Sequence, residues 1–133
     1  MIEINNLTKS KINQKSFSQV AKKVLKGENR GTRTRNLGGE TLSLAFVNKE
    51  EIKSLNKKFR GKNKPTDVLS FGMKEGKSLG EVVICPEVVK EKGEDITKVF
   101  VHGILHLLGH EHERSKKEAR QMEKKEELYF GLK

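Results

Sequence analysis

The sequence is poor in the features that stabilise secreted and membrane proteins. Cys85 is the only cysteine among 133 residues, so no disulfide can form within the chain, and we expect this residue to be a small buried hydrophobe. No apolar run approaches the roughly 20 residues that a transmembrane helix needs. Residues 1–10 lack the basic and then apolar pattern of a signal peptide. These absences predict a protein of the reducing cytoplasm, with no membrane and no disulfide partner.

Aromatic side chains are also scarce, whereas positive charge is abundant. The chain has no tryptophan and one tyrosine, so we expect few platforms on which nucleic-acid bases could stack. It has 28 Lys and Arg against 18 Asp and Glu, a net charge of +10. Such an excess favours polyanionic partners, nucleic acid first among them, although plain solubility would also explain it.

The length and the pattern of apolar residues indicate one domain spanning residues 1–133. Strands and helices mix without the regular alternation of a doubly wound sheet, which predicts an α+β fold. Strands are predicted at residues 2–5, 41–47, 68–71 and 80–85, and a loop at 28–39. Helices are predicted at 16–26 (capped by Ser16 and stopped by Gly27), from Asn48 onward with Glu51 in a capping box, from Pro86 to near Gly93, and at 96–108 and 115–128.

All four histidines lie between His102 and His112. On a helix, His102 and His106 fall one turn apart on one face, just outside an apolar arc that must face the core. A glycine at 109 can end this helix, so that His112 could reach the same ion. Three protein nitrogens with a fourth position open are typical of a catalytic zinc site. His110 could replace His112, but the spacing favours His112.

The spacing His-x3-His-x5-His repeats the long zincin pattern in all but one place. Gly103 stands where those metalloproteases carry the glutamate general base. We expect Gly103 to lie on the metal-facing side of the helix and to leave space for a bulky substrate or a water molecule. Without that carboxylate, peptide hydrolysis by the usual route is disfavoured. The competing interpretation is that two of these histidines lie at the edge of the core and bond to backbone.

At this point the sequence resembles a known family. Its segment HGILHLLGHEH resembles the YbeY signature H-G-x-L-H-L-x-G-H-D-H, with Glu111 where the family usually has aspartate. A second block, LNKKFRGKNKPTDVLSF at residues 55–71, resembles that family's other signature, with Asn63 where aspartate is common. A third block, LGEVVI at residues 79–84, resembles the strand that precedes the metal helix. The three blocks occur in the family's order.

The resemblance implies a metal-dependent endoribonuclease that acts on single-stranded RNA. It implies a role in ribosomal RNA maturation, especially at the 3′ end of small-subunit RNA, in ribosome quality control, and in contact with the ribosome or its small subunit. It further implies a zincin-like fold, in which a small mixed sheet packs with helices and a central helix carries the histidines. The implied site is one divalent ion, zinc in the first place, on His102, His106 and His112, with a functional arginine at Arg60.

The physical properties of Arg60 agree with that role. Its guanidinium could hold a phosphate through two hydrogen bonds and stabilise the charge that develops during attack. The neighbouring lysines would add nonspecific attraction to phosphate. The remaining polar residues of interest can be cleft or guide residues, or merely turn, strand and solvated residues; they are Thr66, Asp67, Ser70, Arg30, Arg33 and Arg35.

Several functional alternatives stay open on the sequence. The phosphodiester could be attacked by metal-bound water or by the RNA 2′-hydroxyl, which would leave a cyclic phosphate. The chain could instead be a non-catalytic, zinc-containing module that binds RNA or the ribosome. A metalloprotease is the third alternative, and Gly103 argues against it.

Overall fold

A computed structural model describes residues 2–29, 41–72 and 78–107, together with Lys124. Its strands are β1 (Ile2–Asn6), β2 (Thr41–Phe46), β3 (Val68–Gly72) and β4 (Ser78–Ile84). Its helices are α1 (Gln14–Asn29), α2 (Lys49–Arg60), α3 (Pro86–Glu91) and α4 (Ile96–Leu107). Within these ranges no helix is both long enough and apolar enough to cross a membrane.

The four strands form one mixed sheet in the order β1-β2-β4-β3. Strands β1, β2 and β4 run parallel, and β3 pairs antiparallel with β4 at the end of this order. The prediction of an α+β fold with a small mixed sheet is therefore confirmed. The zincin-like arrangement, the central position of the histidine helix and the extent of one domain over residues 1–133 stay predictions.

Helices cover both faces of the sheet, and the alternation of side chains along β2 and β4 explains why. One face of the sheet packs with α1 and α4 in a core that includes Leu42, Leu44, Phe46, Val82, Phe17, Val24, Phe100 and Ile104. The opposite face packs with α2 in a smaller core that includes Ala45, Val83, Leu69, Ile52 and Cys85. Cys85 is fully buried, as expected, and burial raises the pKa of its thiol.

Helix α1 is longer than the sequence predicted. It begins at Gln14, and the Oδ1 atom of Asn13 accepts a hydrogen bond from the Ser16 amide at 3.1 Å. The prediction that Ser16 caps the helix was therefore wrong, because Asn13 supplies the capping oxygen one turn earlier. Gly27 does not stop the helix either, since helical backbone continues to Asn29 and takes in the start of the predicted loop. The rest of that loop lies outside the described residues.

Helix α2 begins and ends with side-chain and backbone caps. Asn48 is its N-cap, and its Oδ1 accepts a hydrogen bond from the Glu51 amide at 2.9 Å, as predicted. At the other end Gly61 adopts the left-handed conformation (φ 70°), and its amide donates to the Lys57 carbonyl. Because few other residues adopt this conformation without strain, Gly61 fixes Arg60 as the last helical residue.

The remaining element predictions agree with the structure to within two residues. Strand β4 begins at Ser78 rather than at residue 80, and Pro86 opens α3 as expected. Helix α4 is described as far as Leu107. Of the helix predicted at 115–128, only Lys124 is described, and its backbone is helical.

Candidate active site

The orientation of α4 is fixed by its start and by its apolar face. The Oδ1 atom of Asp95 accepts hydrogen bonds from the amides of Thr97 (2.8 Å) and Lys98 (3.3 Å), which caps the first turn. The side chains that hold the helix in the core are fully buried; they are Phe100, Val101, Ile104 and Leu105. With that face anchored, the two histidines project from the half-buried side of the helix.

His102 and His106 bring their ring nitrogens together. Their Nε2 atoms lie 3.0 Å apart, and their rings meet nearly edge to face with centroids 4.6 Å apart. Two ligands of a tetrahedral zinc ion, with Zn–N of about 2.0–2.1 Å, have their nitrogens about 3.3 Å apart. The pair is therefore spaced as two metal ligands would be, and a proton shared between the two rings is the alternative at this distance.

The third predicted ligand, His112, and its alternative, His110, both lie outside the described residues. Within residues 2–29, 41–72 and 78–107, no three His, Cys, Asp or Glu side chains are grouped closely enough to bind one ion. The assignment of His112 as a metal ligand therefore stays a prediction.

Gly103 faces the sheet, which corrects the expectation that it opens space beside the metal. A Cβ atom at this position would lie 2.7 Å from Cγ1 of Val82 and 3.3 Å from Oγ of Ser70. The Ser70 hydroxyl also donates a hydrogen bond of 3.0 Å to the Gly103 carbonyl. The glycine thus allows α4 to approach β3 and β4 closely, and the bond ties β3 to the helix between the two histidines.

A cleft of about 720 Å³ brings Arg60 to the same place as the two histidines. It runs along β3, with the end of α2 contributing one wall and α4 another. The residues that line it are Phe59, Arg60, Thr66 to Gly72, His102, His106 and Leu107. Arg60 is exposed in this wall. The segment from 66 to 70, which the sequence left undecided between cleft and turn, lines the cleft.

A pair of carboxylates lies beside His102 in an adjoining cleft of about 520 Å³. Asp67 accepts hydrogen bonds from the Val68 amide (2.9 Å) and the Thr66 hydroxyl (3.2 Å). Partial burial raises the pKa of the neighbouring Glu94 carboxyl, and the hydrogen bond and negative charge of Asp67 raise it further. The ammonium group of Lys92 pairs with both carboxylates, at 3.7 Å from Asp67 and 4.0 Å from Glu94. His102 lines both clefts, so charges of both signs lie next to the histidine pair.

Sequence reasoning missed Phe59. The sequence assigned it no role, yet the residue is 56% exposed in the cleft wall beside Arg60. The available signal was its place in the last turn of α2, among Lys57, Lys58 and Arg60, where a large apolar side chain has no obvious core to enter.

Comparisons with known proteins show which family the chain resembles. A family model described as endoribonuclease YbeY matches residues 3–131. The endoribonuclease YbeY of Thermotoga neapolitana is 36% identical over 137 residues, which cover 97% of this chain and 86% of the relative. That of Bdellovibrio bacteriovorus is 41% identical over 109 residues, which cover 76% of this chain and 67% of the relative.

The fold also has a counterpart among solved structures. A Thermotoga maritima protein whose structure was determined in solution superposes with a TM-score of 0.64 at 32% sequence identity. The match covers 97% of this chain and 86% of the other. The similarity therefore extends over the sheet and its helices and is not confined to the histidine segment.

Proposed function

Because the chain belongs to the endoribonuclease YbeY family, we propose that it is a metal-dependent endoribonuclease that cleaves single-stranded RNA during ribosomal RNA processing. Family membership supports the endoribonuclease activity itself. One observation carries the finer proposal, namely that Arg60 and the pair His102 and His106 line a single cleft. Cleavage of a phosphodiester needs a cation on the phosphate and a means of activating the attacking oxygen, and this cleft has candidates for both.

His102 and His106 would hold the metal ion, with His112 as the third ligand. The donor set fits, because imidazole nitrogens suit zinc and the two Nε2 atoms lie 3.0 Å apart on a helix that the core holds in place. When bound, a zinc-type ion would polarise a phosphoryl oxygen and lower the pKa of a water molecule towards neutrality.

Arg60 would bind the phosphate that is cleaved. Its planar guanidinium can donate two parallel hydrogen bonds to phosphate oxygens and neutralise the charge that develops on them. Gly61 ends α2 directly after Arg60, so the side chain leaves a fixed helix terminus and enters the cleft wall. In this assignment α4 supplies the metal ligands and α2 supplies the group that binds substrate.

The lysines around Arg60 would attract the RNA backbone without reading its sequence. Lys57 and Lys58 lie in the last turn of α2, and Lys62 and Lys64 follow Gly61; all four are exposed. Phosphate contacts of this kind release counterions, so the affinity should fall steeply as the salt concentration rises. We therefore expect weak sequence discrimination by the protein alone, with the cutting position set by the ribosome or its small subunit in the cytoplasm.

Gly103 argues against the metalloprotease alternative. A glutamate at this position, which the zincin mechanism needs, would begin with a Cβ atom 2.7 Å from Val82. The structure therefore offers no room there for a general base without a shift of α4. The non-catalytic module remains the second candidate, because a zinc ion and the exposed basic residues around Arg60 would serve binding as well.

One experiment separates these functions. The metal content of the purified protein is measured, and the protein is incubated over a salt series with an unstructured RNA, a duplex RNA and a peptide library. We expect about one metal ion per chain and salt-sensitive cleavage of the unstructured RNA. End-group analysis then distinguishes attack by water from attack by the 2′-hydroxyl, since only the latter leaves a cyclic phosphate.

Each other outcome has a definite meaning. Peptide cleavage without RNA cleavage would overturn the nuclease assignment. Stoichiometric metal and tight RNA binding without any cleavage would favour the binding module. An affinity for RNA that does not change with salt concentration would contradict the role proposed for the lysines.

A further inference from the structure

Phe59 is an exposed aromatic ring at the rim of the cleft. It is one of two large hydrophobic residues that are exposed in the described part of the chain, with 56% of its surface accessible. The other, Leu7, is 69% exposed and follows β1, at the opposite end of the strand order from β3. Only Phe59 of these two residues lines the cleft that contains Arg60 and the histidines.

The ring of Phe59 is held in position by a second aromatic residue. Phe71 on β3 meets it in a T-shaped arrangement, with ring centroids 5.0 Å apart and planes inclined by 63°. Phe71 is itself partly buried and packs against the core beneath α2. Phe59 is therefore an oriented surface rather than a freely rotating side chain, although most of it faces solvent.

One cation lies beside the ring of Phe59, and another follows it in the sequence. The ammonium group of Lys58 lies 5.3 Å from the centroid of the Phe59 ring, and Arg60 is the next residue. A flat apolar surface with adjacent cations matches the chemistry of a nucleotide, whose base is flat and whose phosphates are anionic. A base can present its face to such a surface only when it is not paired and stacked inside a duplex.

We propose that Phe59 is a stacking platform for an unpaired nucleobase of the RNA whose phosphate Arg60 binds. This inference rests on the proposed endoribonuclease function and specifies how the same cleft recognises its substrate. Stacking accepts any base, because every base has a flat π surface, so Phe59 selects for single-stranded structure rather than for sequence. Among the aromatic residues in the described part of the chain, Phe59 is the exposed one in this cleft.

The test compares variants that separate the flat ring from its apolar bulk. Phe59→Trp and Phe59→Tyr keep a ring, Phe59→Leu keeps only apolar contact with Phe71, and Phe59→Ala removes both. Leu7→Ala is the matched control for losing an exposed hydrophobic residue. Binding of a 12-nucleotide RNA is measured by fluorescence anisotropy at fixed low salt, and a single 2-aminopurine moved along the RNA reports stacking through quenching of its fluorescence.

We expect Phe59→Ala and Phe59→Leu to raise Kd and KM by about 5- to 100-fold, the usual worth of one stacked base, with a smaller change in kcat. The ring-retaining variants should bind within a few-fold of the wild type. Quenching of 2-aminopurine at one position should disappear in Phe59→Ala. An abasic nucleotide at that position should weaken wild-type binding but weaken Phe59→Ala no further, because both changes remove the same contact.

Two failures are distinguishable. If the wild-type protein cuts RNA but Phe59→Leu binds it as tightly as the wild type does, or the abasic RNA weakens both proteins equally, the stacking inference is wrong and the proposed function stands. If the wild-type protein neither binds nor cuts RNA, both proposals fall. If Phe59→Ala folds poorly, Phe59→Leu takes its place in the abasic comparison, because it also lacks the ring.

Discussion

Helices α2 and α4 both contribute residues to the lining of the cleft, but they are held in place by different interactions. Helix α4 carries its histidines on a segment whose other residues are mostly buried, including Phe100, Ile104 and Leu105 at 0% exposure. Helix α2 buries only Ile52 and Asn56 and depends on its caps at Asn48 and Gly61 for definition. The two histidines proposed to bind the metal therefore lie on a mostly buried helix, and the arginine proposed to bind the substrate lies at the end of a largely exposed one.

This difference indicates how the two parts should respond to mutation. Changes on α4 should alter metal binding or folding, because the histidine geometry and the core packing share one helix. Changes at the end of α2 should alter RNA binding or catalysis while the protein stays folded and keeps its metal.

The largest effect is expected from the histidine pair. Replacing His102 or His106 by alanine should lower bound metal well below one ion per chain and reduce RNA cleavage by about 1000-fold or more, because metal catalysis contributes several kcal/mol. His112→Ala should behave in the same way, and His110→Ala should retain the metal. The measurement is metal content by mass spectrometry beside a cleavage assay. Metal loss in His110→Ala with retention in His112→Ala would reverse the ligand assignment.

Arg60→Ala should reduce RNA cleavage nearly as much as the histidine variants do, but it should leave the bound metal unchanged. The loss of one preorganised donor to the developing charge costs about 100- to 1000-fold in rate. Arg60→Lys should restore only part of it, since a point charge cannot reproduce two parallel hydrogen bonds. Metal content and melting temperature should equal those of the wild type. Near-normal cleavage by Arg60→Ala would show that Arg60 is only a surface charge.

Local patterns in the sequence predicted much of the fold. The Asn48 cap, the Pro86 start of α3 and the spacing of His102 and His106 all depend on residues within one or two helical turns. The prediction of a cap at Ser16 was wrong because Asn13 is an equally good capping residue, and the path of the chain into α1 places Asn13 at the start of the helix.

The features that could not be predicted depend on contacts between distant segments. The helical pattern placed Gly103 near the histidines, but its closeness to Val82 and Ser70 follows from how α4 lies on the sheet. Counting aromatic residues likewise predicted few stacking surfaces and could not show that Phe59 is exposed in the cleft. The family resemblance, rather than any local pattern, related Arg60 to the histidines.

Gly103→Ala tests whether α4 depends on its close approach to the sheet. Its Cβ would lie 2.7 Å from Val82, which is fully buried, so the helix or the strand must shift. Overpacking of this kind costs about 1–3 kcal/mol in the free energy of unfolding. Urea denaturation should show that loss, together with weaker metal binding as the histidines move.

Gly72→Ala is the matched control for this prediction, because a Cβ there meets nothing within 4 Å. It should leave the free energy of unfolding nearly unchanged. Val82→Ala should partly restore the stability of Gly103→Ala by removing the clashing methyl groups, although it should destabilise the wild-type protein. Equal stability of Gly103→Ala and the wild type would show that the closeness of residue 103 to Val82 does not limit the packing of α4 on the sheet.

The smallest effect on stability is expected at Asn56, the buried amide of α2. Its Nδ2 donates a hydrogen bond of 2.9 Å to the Lys64 carbonyl and so ties the segment after Gly61 back to the helix. Its Oδ1 accepts no hydrogen bond from any described residue, which offsets part of that gain. Asn56→Ala removes both the hydrogen bond and the buried oxygen without a partner, and it leaves the exposed Lys64 segment able to bond to water. The free energy of unfolding should therefore fall by only about 1 kcal/mol or less.

The same variant should affect RNA binding. The freed segment carries Lys62 and Lys64, so KM for RNA should rise while metal content stays unchanged. Asn63→Ala, an exposed amide of the same segment, should leave stability unaltered; a loss of metal in Asn56→Ala would show that the two helices are not independent.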